Sequence, residues 1–453
     1  MSSRHHRRNH SQRPPRDLAQ EIAANTFNPD PDRSAILLEH GSIVIPQGTD
    51  LSAIISTLEA INSDRKSGNE VIDIECVIPV PAWEGARALV RAIREQLGIF
   101  RQLEDRNHRR EQISIEVSQG VVEQVPWGVF DLPGLAGYVY TSSTQHEQQG
   151  AFECTFRVER RFEPKVRQIE QQTLQIATRE CMHRGKAFTM TFRSSRGELL
   201  EMARPQFFEL IGEKPIFTPE TEESIERNIQ VPLTYTKVLE ADGFSLKRSA
   251  LFVGGYGLGK TLLASHLAQM AMDAGWTFIY VKNASELPDA LRFAMRYQPV
   301  MVFAEDVDRV AGIDRSDKVN ELLNQLDGID SKSTQLITIL TSNHPERINE
   351  AMMRPGRIDL VLPVPAPDAD TVIRMLRHFG GKKIDPQTEL REVAEILQNE
   401  SPARIREVLK RSTLEVLRRT GDIKSLVIGD DLAPIAREVV AERKIAQNAV
   451  ITS

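Results

Sequence analysis

Residues 251–272 read LFVGGYGLGKTLLASHLAQMAM, a glycine-rich loop with a lysine and a threonine between a short apolar run and a helix-like repeat. The spacing Gly254-x4-Gly259-Lys260-Thr261 fits the phosphate-binding loop pattern without adjustment. The apolar ALFVG ahead of the loop is typical of a buried strand, and the apolar residues behind it recur at helical spacing. The stretch therefore predicts a strand–loop–helix unit that cradles a nucleoside triphosphate.

Each residue type in this loop has a physical task. Glycine lets the chain take positive φ and brings its N–H groups close to anionic oxygens, and the following helix directs its positive dipole end at the same phosphates. Lys260 supplies a charge to the β- and γ-phosphates, and Thr261 offers a hydroxyl to Mg²⁺. The loop residues that we predict to contact ATP are Gly254, Gly255, Tyr256, Gly257, Leu258, Gly259, Lys260, Thr261 and Leu262.

Two further apolar runs end in polar side chains. The run PVMVFAEDVDRV ends in Glu305, Asp306 and Asp308, and carboxylates delivered beside the loop are what Mg²⁺ and an attacking water require. The run LITILTSN ends at Asn343, a neutral polar group able to orient that water. Both runs are predicted to be buried strands whose ends lie at the nucleotide site.

A pair of arginines flanks a Pro-Gly turn in the segment NEAMMRPGRIDLVLP. Arg354 and Arg357 suit a phosphate contact, and a surface salt-bridge pair is the alternative interpretation. Further along, NESPARIREVLKRS begins with Ser401 and Pro402, residue types favoured as the N-cap and the first residue of a helix. A helix is therefore predicted from residue 402 onward.

The first half of the chain has a different, mostly alternating pattern. The runs GSIVIP, VIDIECVIPV, ISIEVS, FECTFRVERRF and KAFTMTF predict strands, and helical spacing around residues 83–97 and 166–176 predicts two helices. The histidines and acids of this half are dispersed, without a catalytic constellation. The pattern therefore favours an α+β domain used for recognition or oligomerisation.

Composition and turn residues divide the chain into five parts. We predict a disordered basic arm at 1–33, the α+β N-terminal domain at 34–211, a linker at 212–224, a nucleotide-binding α/β subdomain at 225–366 and a helical lid subdomain at 367–453.

Bulk composition narrows the setting in which the protein works. The chain has 453 residues and a net charge of −6, with 40% hydrophobic residues and three scattered cysteines. No apolar run approaches the length that spans a membrane, so we predict a cytoplasmic protein with reduced thiols and no membrane partner. The segment MSSRHHRRNHSQRPPR carries arginines and histidines without an acid. A solvated tail is the simpler interpretation of that segment, and a nucleic-acid contact is the alternative.

These motifs together resemble the AAA family of ATPases, within the larger AAA+ class, over residues 225–453. In order, GGYGLGKT stands as the Walker A motif, VMVFAEDVD as Walker B, NELLNQLDGID as the helix before the third strand, and TSNHPERINEAMMRPGRID as the second region of homology. The resemblance implies an α/β fold: a P-loop NTPase core of parallel sheet flanked by helices, followed by a helical lid.

The resemblance also implies a homo-oligomer, usually a hexameric ring, with ATP and Mg²⁺ between subunits. Lys260, Thr261, Glu305, Asp306 and Asn343 would act from one subunit. Arg354 and Arg357 would reach the neighbouring site as arginine fingers, which makes hydrolysis depend on assembly. In the lid, Met375 and Phe379 match positions that wall the adenine.

The sequence departs from the family at the end of the Walker B strand. The family has Asp followed by Glu, whereas Glu305 here occupies the Mg²⁺ position, together with Thr261, and Asp306 the position of the base. Side chains alternate along a strand, so the two cannot trade places. Misplacing a base by about an ångström costs on the order of a hundredfold in rate. Either the loops adjust and hydrolysis survives, or the protein is a slow ATP-dependent switch.

Two further departures concern the pore and the lid. Polypeptide-threading relatives carry an aromatic loop between the second strand and Walker B, but the interval VKNASELPDALRFAMRYQP has no aromatic–glycine pair, and Phe293 and Tyr297 suggest a packed helix face. The lid motif has Pro402, Ala403 and Arg404 where Gly-Ala is usual. Arg404 is either a γ-phosphate sensor or a surface residue.

The sequence thus predicts an ATP-binding and ATP-hydrolysing, ring-forming AAA ATPase that remodels a protein client selected by its N-terminal domain. A nucleic-acid-associated AAA+ motor or loader, acting through the basic arm, is one alternative. A slow-hydrolysing scaffold that assembles on ATP is the other.

Overall fold

The computed structural model of the chain describes residues 37–39, 42–44, 68–103, 110–146, 149–189, 191–192, 205–311, 334–354 and 356–451, with single positions between 52 and 63. The predicted basic arm and the helix predicted at 320–330 lie outside the described residues.

An antiparallel sheet and two helices form the N-terminal unit. Its elements are β1 (Leu37–Glu39), β2 (Ser42–Val44), β3 (Val71–Ile78), α1 (Ala82–Leu97), β4 (Gln112–Ser118), β5 (Val121–Pro126), β6 (Val129–Leu132), β7 (Gly137–His146), β8 (Gln149–Glu159) and α2 (Glu163–Arg179). Strands pair in the order β3-β8-β7-β6, while β4 and β5 form a separate hairpin. The apolar pattern predicts β2, β3, β4, β8 and the two long helices, whereas it does not predict β1, β5, β6 and β7.

The four-stranded sheet has one buried face and one exposed face. Along β3, Ile74, Cys76 and Ile78 are buried while the residues between them are exposed, as the two-residue period of a strand requires. Helices α1 and α2 pack against each other and against β8 on the buried face. The opposite face of the sheet is therefore left to solvent.

A second, mostly parallel sheet of seven strands carries the glycine-rich loop. Its elements are β9 (Ala187–Thr189), β10 (Gln206–Phe207), α3 (Pro219–Ile225), α4 (Val231–Thr234), α5 (Thr236–Ala241), β11 (Arg248–Val253), α6 (Lys260–Asp273), β12 (Thr277–Val281), α7 (Leu287–Ala294), β13 (Val300–Ala304), α8 (Asp308–Ala311), β14 (Leu336–Ser342) and β15 (Leu360–Pro363). The strand order is β10-β9-β12-β13-β14-β11-β15, and only β10 runs antiparallel to its neighbour. The predicted α/β core is confirmed.

Strand order explains why distant motifs meet. Strand β14 lies between β13 and β11, so the carboxyl ends of all three open at one edge of the sheet. Ligands of open α/β sheets bind at that edge. The loop after β11, the acids after β13 and the polar tip of β14 are thereby brought side by side.

Four helices after β15 form a separate bundle. They are α9 (Ala369–Gly380), α10 (Arg391–Leu397), α11 (Pro402–Thr420) and α12 (Gly429–Ile451). The bundle has its own apolar core, which includes Val372, Leu397, Ile405 and Ala436. This is the helical lid that the sequence predicts. Among the helices that the structure describes, none has both the length and the apolar character needed to cross a bilayer.

The N-terminal unit is packed directly onto the seven-stranded sheet through α7. One continuous apolar cluster runs from α1 and the antiparallel sheet to α7 and β13, and the ring centroids of Trp83 and Phe293 lie 6.2 Å apart. Within this contact the buried carboxylate of Glu84 accepts hydrogen bonds from the Tyr297 hydroxyl at 3.0 Å and from the Cys181 thiol at 2.9 Å. The two units therefore share a core and a buried polar contact.

Our five-part domain division stays a prediction, but two segments lie elsewhere than that division implies. Strand β9, inside the predicted N-terminal domain, pairs in parallel with β12 of the seven-stranded sheet. In the predicted linker 212–224, Phe217 and Thr221 are buried. Both segments are short apolar insertions in polar sequence, and tertiary pairing rather than local pattern decides their place.

Candidate nucleotide site

The glycine-rich loop has the backbone geometry that its composition suggests. Gly257 and Gly259 have φ values of 75° and 93°, in the left-handed region where a side chain is strained. Gly254 is needed for a different reason, because a Cβ there would lie 2.5 Å from the carbonyl oxygen of Val364. The loop therefore closes tightly against the end of β15, and helix α6 begins at Lys260 with Gly259 as its N-cap.

Lys260 is the cationic centre of the site. Its side-chain nitrogen donates to the carbonyl oxygens of Gly254 and Gly255, each at 2.8 Å, and to Asn343 Oδ1 at 2.6 Å. Burial lowers the pKa of Lys260, and the charges of Asp306, then Glu305 and Asp308, oppose that effect. The ammonium is thus fixed at the mouth of the loop by three oxygen acceptors.

Asn343 connects the lysine to the acidic strand end. Its amide nitrogen donates to Asp306 Oδ1 at 2.6 Å while its oxygen accepts from Lys260. The backbone N–H of Asp306 also donates to the hydroxyl of Thr341 at 3.2 Å. A polar chain Lys260–Asn343–Asp306 therefore runs across the ends of β11, β14 and β13.

Asp306 has an unusual backbone and a second partner. Its φ is 51°, a left-handed value that Asp and Asn tolerate better than longer side chains. Its Oδ2 lies 2.8 Å from the guanidinium of Arg309 one turn later, and the Arg309 side chain is largely exposed. Asp306 is therefore held between a half-buried amide and an exposed cation.

Glu305 and Asp306 are both half-buried. The Oε1 atom of Glu305 is buried and has no hydrogen-bond partner among the described residues. Tyr280 on β12 lies beside it: burial, then the charge of Glu305 and a hydrogen bond to it, raise the pKa of Tyr280. An orphaned, buried carboxylate oxygen is the kind of group that a hydrated Mg²⁺ ion satisfies. Thr261 is exposed at the first turn of α6, so its hydroxyl is open to a ligand.

The third acid after β13, Asp308, has a structural role. Asp308 is buried, and its Oδ1 accepts from the Ser342 hydroxyl at 2.7 Å and from the backbone N–H of Asn343 at 3.2 Å. It therefore fastens the acidic segment to the tip of β14 and orients Asn343. The sequence alone did not distinguish this role from that of a Mg²⁺ ligand.

A small cleft lies between the loop and the lid. Its apolar lining includes Leu258 of the loop and Met375 of α9, together with Ile216, Phe217, Thr218 and Pro402. Met375 lines this cleft, and its contact with adenine stays a prediction. Phe379 does not line this cleft; its ring packs under the guanidinium of Arg406 with a separation of 3.8 Å.

Residues 216–218 are site residues that sequence reasoning missed. Arg374 of α9 holds this segment: it donates to the carbonyl oxygen of Phe217 at 2.9 Å and to both carboxylate oxygens of Glu222 at 2.8 Å. The only signal was the apolar Pro-Ile-Phe run inside an otherwise polar stretch.

The two arginines of the predicted finger pair differ in their surroundings. Arg354 is exposed, whereas Arg357 is half-buried and donates to the carbonyl oxygen of Ala351 at 2.9 Å. The turn between them is closed by the N–H of Arg357, which donates to the carbonyl oxygen of Arg354 at 3.1 Å, and Gly356 has a φ of 89°. Of the pair, Arg354 is the one presented at the surface.

The lid meets the loop at the start of α11. A Cβ built on Gly257 would lie 3.5 Å from Ser401 Cβ, so the first turn of this 19-residue helix covers the loop. Ser401 is the N-cap, as predicted, but its side chain makes no capping hydrogen bond. Arg404 donates to Glu400 at 2.7 Å, and Glu400 also binds Arg443 of α12 at 2.8 Å. Arg404 is therefore paired within the lid.

The segment in which threading relatives carry an aromatic loop is covered. Leu287, Pro288 and Asp289 are buried at the start of α7, and Asp289 pairs with Arg292. Phe293 and Tyr297 are also buried, as predicted, in contact with the N-terminal unit as well as with the sheet. This stretch does not present an aromatic residue to solvent.

The arrangement as a whole provides the parts of a phosphoryl-transfer site. Bare amides, a helix N-terminus and Lys260 are groups that can neutralise phosphate charge. Asn343 and Asp306 provide a polar pair that can orient and deprotonate a water molecule, and Glu305 with Thr261 provides oxygen ligands for Mg²⁺.

Comparisons with known proteins agree with this geometry. The model of the ATPase family associated with various cellular activities (AAA) matches residues 250–366, which confirms the predicted resemblance of the C-terminal half. The match covers the loop, both polar strand ends and the arginine pair.

Curated proteins match over a similar region. An ATP-dependent zinc metalloprotease FtsH from Rhodococcus erythropolis is 29% identical over 263 residues, covering 53% of this chain and 30% of the relative. The proteasome-activating nucleotidase of Methanocaldococcus jannaschii is 25% identical over 245 residues, 49% of this chain and 55% of the relative. FtsH 1 of Thermomicrobium roseum is 28% identical over 254 residues, 51% of this chain and 37% of the relative. The chain thus spans 30–55% of the length of these relatives.

Proposed function

The C-terminal half of this chain contains an AAA ATPase domain, and from that premise we propose that the protein binds and hydrolyses ATP and uses the cycle to remodel a protein client. The observation that carries the proposal is the chain Lys260–Asn343–Asp306, which joins a phosphate-binding cation to a carboxylate through one amide. Because the Asn343 amide contacts both side chains, we expect it to respond to the presence or absence of the γ-phosphate and to pass that change to Lys260 and Asp306.

In the proposed reaction each side chain has one task. Lys260 and the loop amides bind the β- and γ-phosphates, and the cleft around Leu258 and Met375 encloses the adenine. Asp306 accepts a proton from the attacking water, which Asn343 orients. Mg²⁺ supplies charge neutralisation when bound, and Thr261 and Glu305 are the residues that would hold it.

We further propose that the active form is a homo-oligomeric ring, with a hexamer as the expected size. The exposed Arg354 supplies the finger to the neighbouring site, where a guanidinium stabilises charge on the transferred phosphoryl group. Arg357 supports that turn from within its own subunit. Head-to-tail contacts of this kind close into rings.

A protein client is supported by the names of the relatives, a metalloprotease and a proteasome-activating nucleotidase, which link ATP use to protein breakdown. The buried start of α7 argues for a client engaged by the N-terminal unit rather than gripped by that segment. Nucleic-acid association through the basic arm remains the alternative proposed from the sequence, and it rests on residues outside the described ranges.

One observation favours the second alternative, a slow ATP-gated scaffold. Asp306 is the shorter acid in the base position, and Arg309 already pairs with its second oxygen at 2.8 Å. That oxygen must leave Arg309 before it can contact an attacking water. Such a site turns over slowly while binding ATP fully.

Steady-state phosphate release from the full chain with Mg²⁺ and ATP tests the proposal. We expect release that rises more steeply than linearly with protein concentration, because assembly completes the site, and that is lost in Asp306→Asn. Assembly on ATP with no phosphate release above background would favour the scaffold instead. Absence of both ATP binding and release would refute the proposal altogether.

A further inference from the structure

The exposed face of the four-stranded antiparallel sheet combines charged side chains with two tyrosines, and exposure to solvent does not by itself require the tyrosines. Residues that alternate with the buried ones point outward: Asp73, Glu75 and Val77 on β3, Arg157 on β8, and Tyr138 and Tyr140 on β7. We call these six residues the outer face. It lies on the side of the sheet opposite α1 and α2, and therefore away from the contact with the AAA domain.

Cross-strand register fixes which of these side chains are neighbours. Asp73 pairs with Arg157, and Arg157 pairs with Tyr138 on the next strand. Glu75 pairs with Thr155, which pairs with Tyr140. Two parallel rows thus cross the sheet, each with a carboxylate at one side and a phenol ring two strands away, about 10 Å apart at the usual strand spacing.

Both tyrosines expose a large part of their surface to solvent. Tyr138 is 38% exposed and Tyr140 is 48% exposed, although large aromatic residues contribute most when buried. They are two residues apart on one strand, which places them roughly 7 Å apart along the sheet. Two neighbouring rings open to solvent on a flat surface are the features of a binding platform rather than of a core.

The carboxylates of the outer face disfavour nucleic acid as its partner. Asp73 and Glu75 are exposed, and Glu153 adds a third carboxylate beside them on β8, where it accepts from the Ser142 hydroxyl at 2.6 Å. Arg157 lies 3.8 Å from Asp73, a loose pairing of two half-exposed side chains that contributes little on its own. Carboxylates repel a phosphate backbone, so the rings are not placed to stack nucleic-acid bases.

We propose that the outer face binds an arginine- or lysine-rich, extended segment of a protein client. A guanidinium or ammonium lies favourably on a phenol ring and pairs with a carboxylate, and each row of the outer face offers both. In an extended segment, alternate side chains on one side repeat at the same distance as Tyr138 and Tyr140, so two basic residues at positions i and i+2 reach the two rows together.

This inference rests on the proposed function, because it assigns client selection to the N-terminal unit. Its chemistry is independent of the nucleotide site, since the outer face and the loop lie on different units. Binding of a basic segment is therefore expected to be the same in a Lys260→Ala variant, in which ATP binding is expected to be strongly weakened.

Fluorescence anisotropy of a labelled peptide with the full chain tests the proposal. The probe is a peptide of about ten residues in which arginine alternates with glycine, long enough to lie along a strand of the sheet at about 3.3 Å per residue. The same peptide with glutamate in place of arginine is the charge control. We expect the arginine peptide alone to bind, with an affinity that falls as salt is raised.

Two double variants divide the proposed contact into charge and ring. Asp73→Asn with Glu75→Gln, and Tyr138→Ser with Tyr140→Ser, are each expected to weaken binding of the arginine peptide by roughly two- to thirtyfold, in line with two exposed contacts. The matched control is Asp370→Asn with Glu392→Gln, which removes two exposed carboxylates of the lid and is expected to leave binding unchanged.

Three results would overturn the proposal. Equal weakening by the lid control would mean that only net charge attracts the peptide. Binding of a single-stranded oligonucleotide that is lost in the tyrosine variant would assign the outer face to nucleic acid. Self-association of the chain that is lost in the carboxylate variant would assign it to a second copy. Labelled ATP binding, measured in the same samples, reports separately on the proposed function.

Discussion

Asn343 Oδ1 lies 2.6 Å from the side-chain nitrogen of Lys260, although 83 residues separate the two in sequence. The contact exists because β14 and β11 are hydrogen-bonded neighbours that run in parallel, so their carboxyl ends coincide. The same amide donates to Asp306, and the three residues behave as one unit.

Removal of the lysine charge is expected to weaken nucleotide binding strongly. Lys260→Ala removes a charged donor, which costs about 1.5–3 kcal/mol, or roughly 10- to 150-fold in Kd. Equilibrium binding of labelled ATP measures the loss, with the exposed Lys282→Ala as a matched control. If Lys260→Ala protein retains the parent affinity, the assignment of the loop is wrong.

Substitution of the proposed base is expected to separate binding from turnover. Asp306→Asn keeps the hydrogen bond to Asn343 within reach but removes the proton acceptor, so phosphate release is expected to fall by about a hundredfold with ATP binding unchanged. Equal rates in wild type and variant would show that Asp306 is not the base.

The backbone at 306 gives a second test of the unusual acid order. Because φ is 51°, Asp306→Glu is expected to destabilise the protein by about 1 kcal/mol, the order of the penalty for a left-handed residue. Urea unfolding of the two proteins measures this difference. A neutral or stabilising effect would imply that the local backbone is not constrained as described.

Arg354 is expected to act in a neighbouring subunit. Arg354→Ala is predicted to bind ATP normally and to lose roughly a thousandfold in turnover. Mixed with Asp306→Asn protein, which retains an intact finger, it is expected to regain activity at shared interfaces. Arg347→Ala is the exposed control. No gain on mixing would mean that the arginine acts in its own subunit or not at all.

The buried contact between the two units is expected to stabilise both. Tyr297→Phe removes a donor to the Glu84 carboxylate and leaves that charge less satisfied, at a cost of about 1–3 kcal/mol. The exposed Tyr235→Phe is the control. Urea unfolding followed through Trp83 and Trp276 is expected to show one transition for both units, and two separate transitions would contradict a shared core.

Alkaline pH is expected to weaken the same contact. Burial, then the charge of Glu84 and its hydrogen bond, raise the pKa of the Cys181 thiol from its usual 9.0 to about 12. A raised pKa means that the folded state holds the proton more tightly, so this stabilisation is complete below pH 9 and is lost as the pH rises through 12. The stability difference between wild type and Cys181→Ser, measured at pH 8 and pH 10, is therefore expected to shrink.

Much of the candidate site could be predicted from the sequence because its residues directly follow apolar runs that are recognisable as strands. The loop, the acids after β13 and the tip of β14 each follow an apolar run whose length and neighbours identify it as a strand. Their convergence at one edge is a consequence of parallel strand order. The resemblance to the AAA family carried the roles of Arg354 and Met375, which no local pattern specifies.

The parts that sequence reasoning missed depend on contacts between distant residues. Phe217 is buried in the apolar cluster of the seven-stranded sheet and its carbonyl oxygen is bound by Arg374 of the lid, and nothing within residues 212–224 indicates either contact. Phe379 lies one helical turn beyond Met375, yet Arg406 covers it outside the cleft. Strand β9 is three residues long, too short for its period to show which sheet it joins.

The continuous apolar core between α1 and α7 has a mechanical consequence. Because the two units share this core, a movement of the seven-stranded sheet is passed on to the antiparallel sheet rather than absorbed by a flexible linker. If the lid and the AAA sheet rotate against each other, a client held farther from the point of rotation moves a greater distance. The N-terminal unit would then serve as a lever arm, whose stroke is set by its length and stiffness.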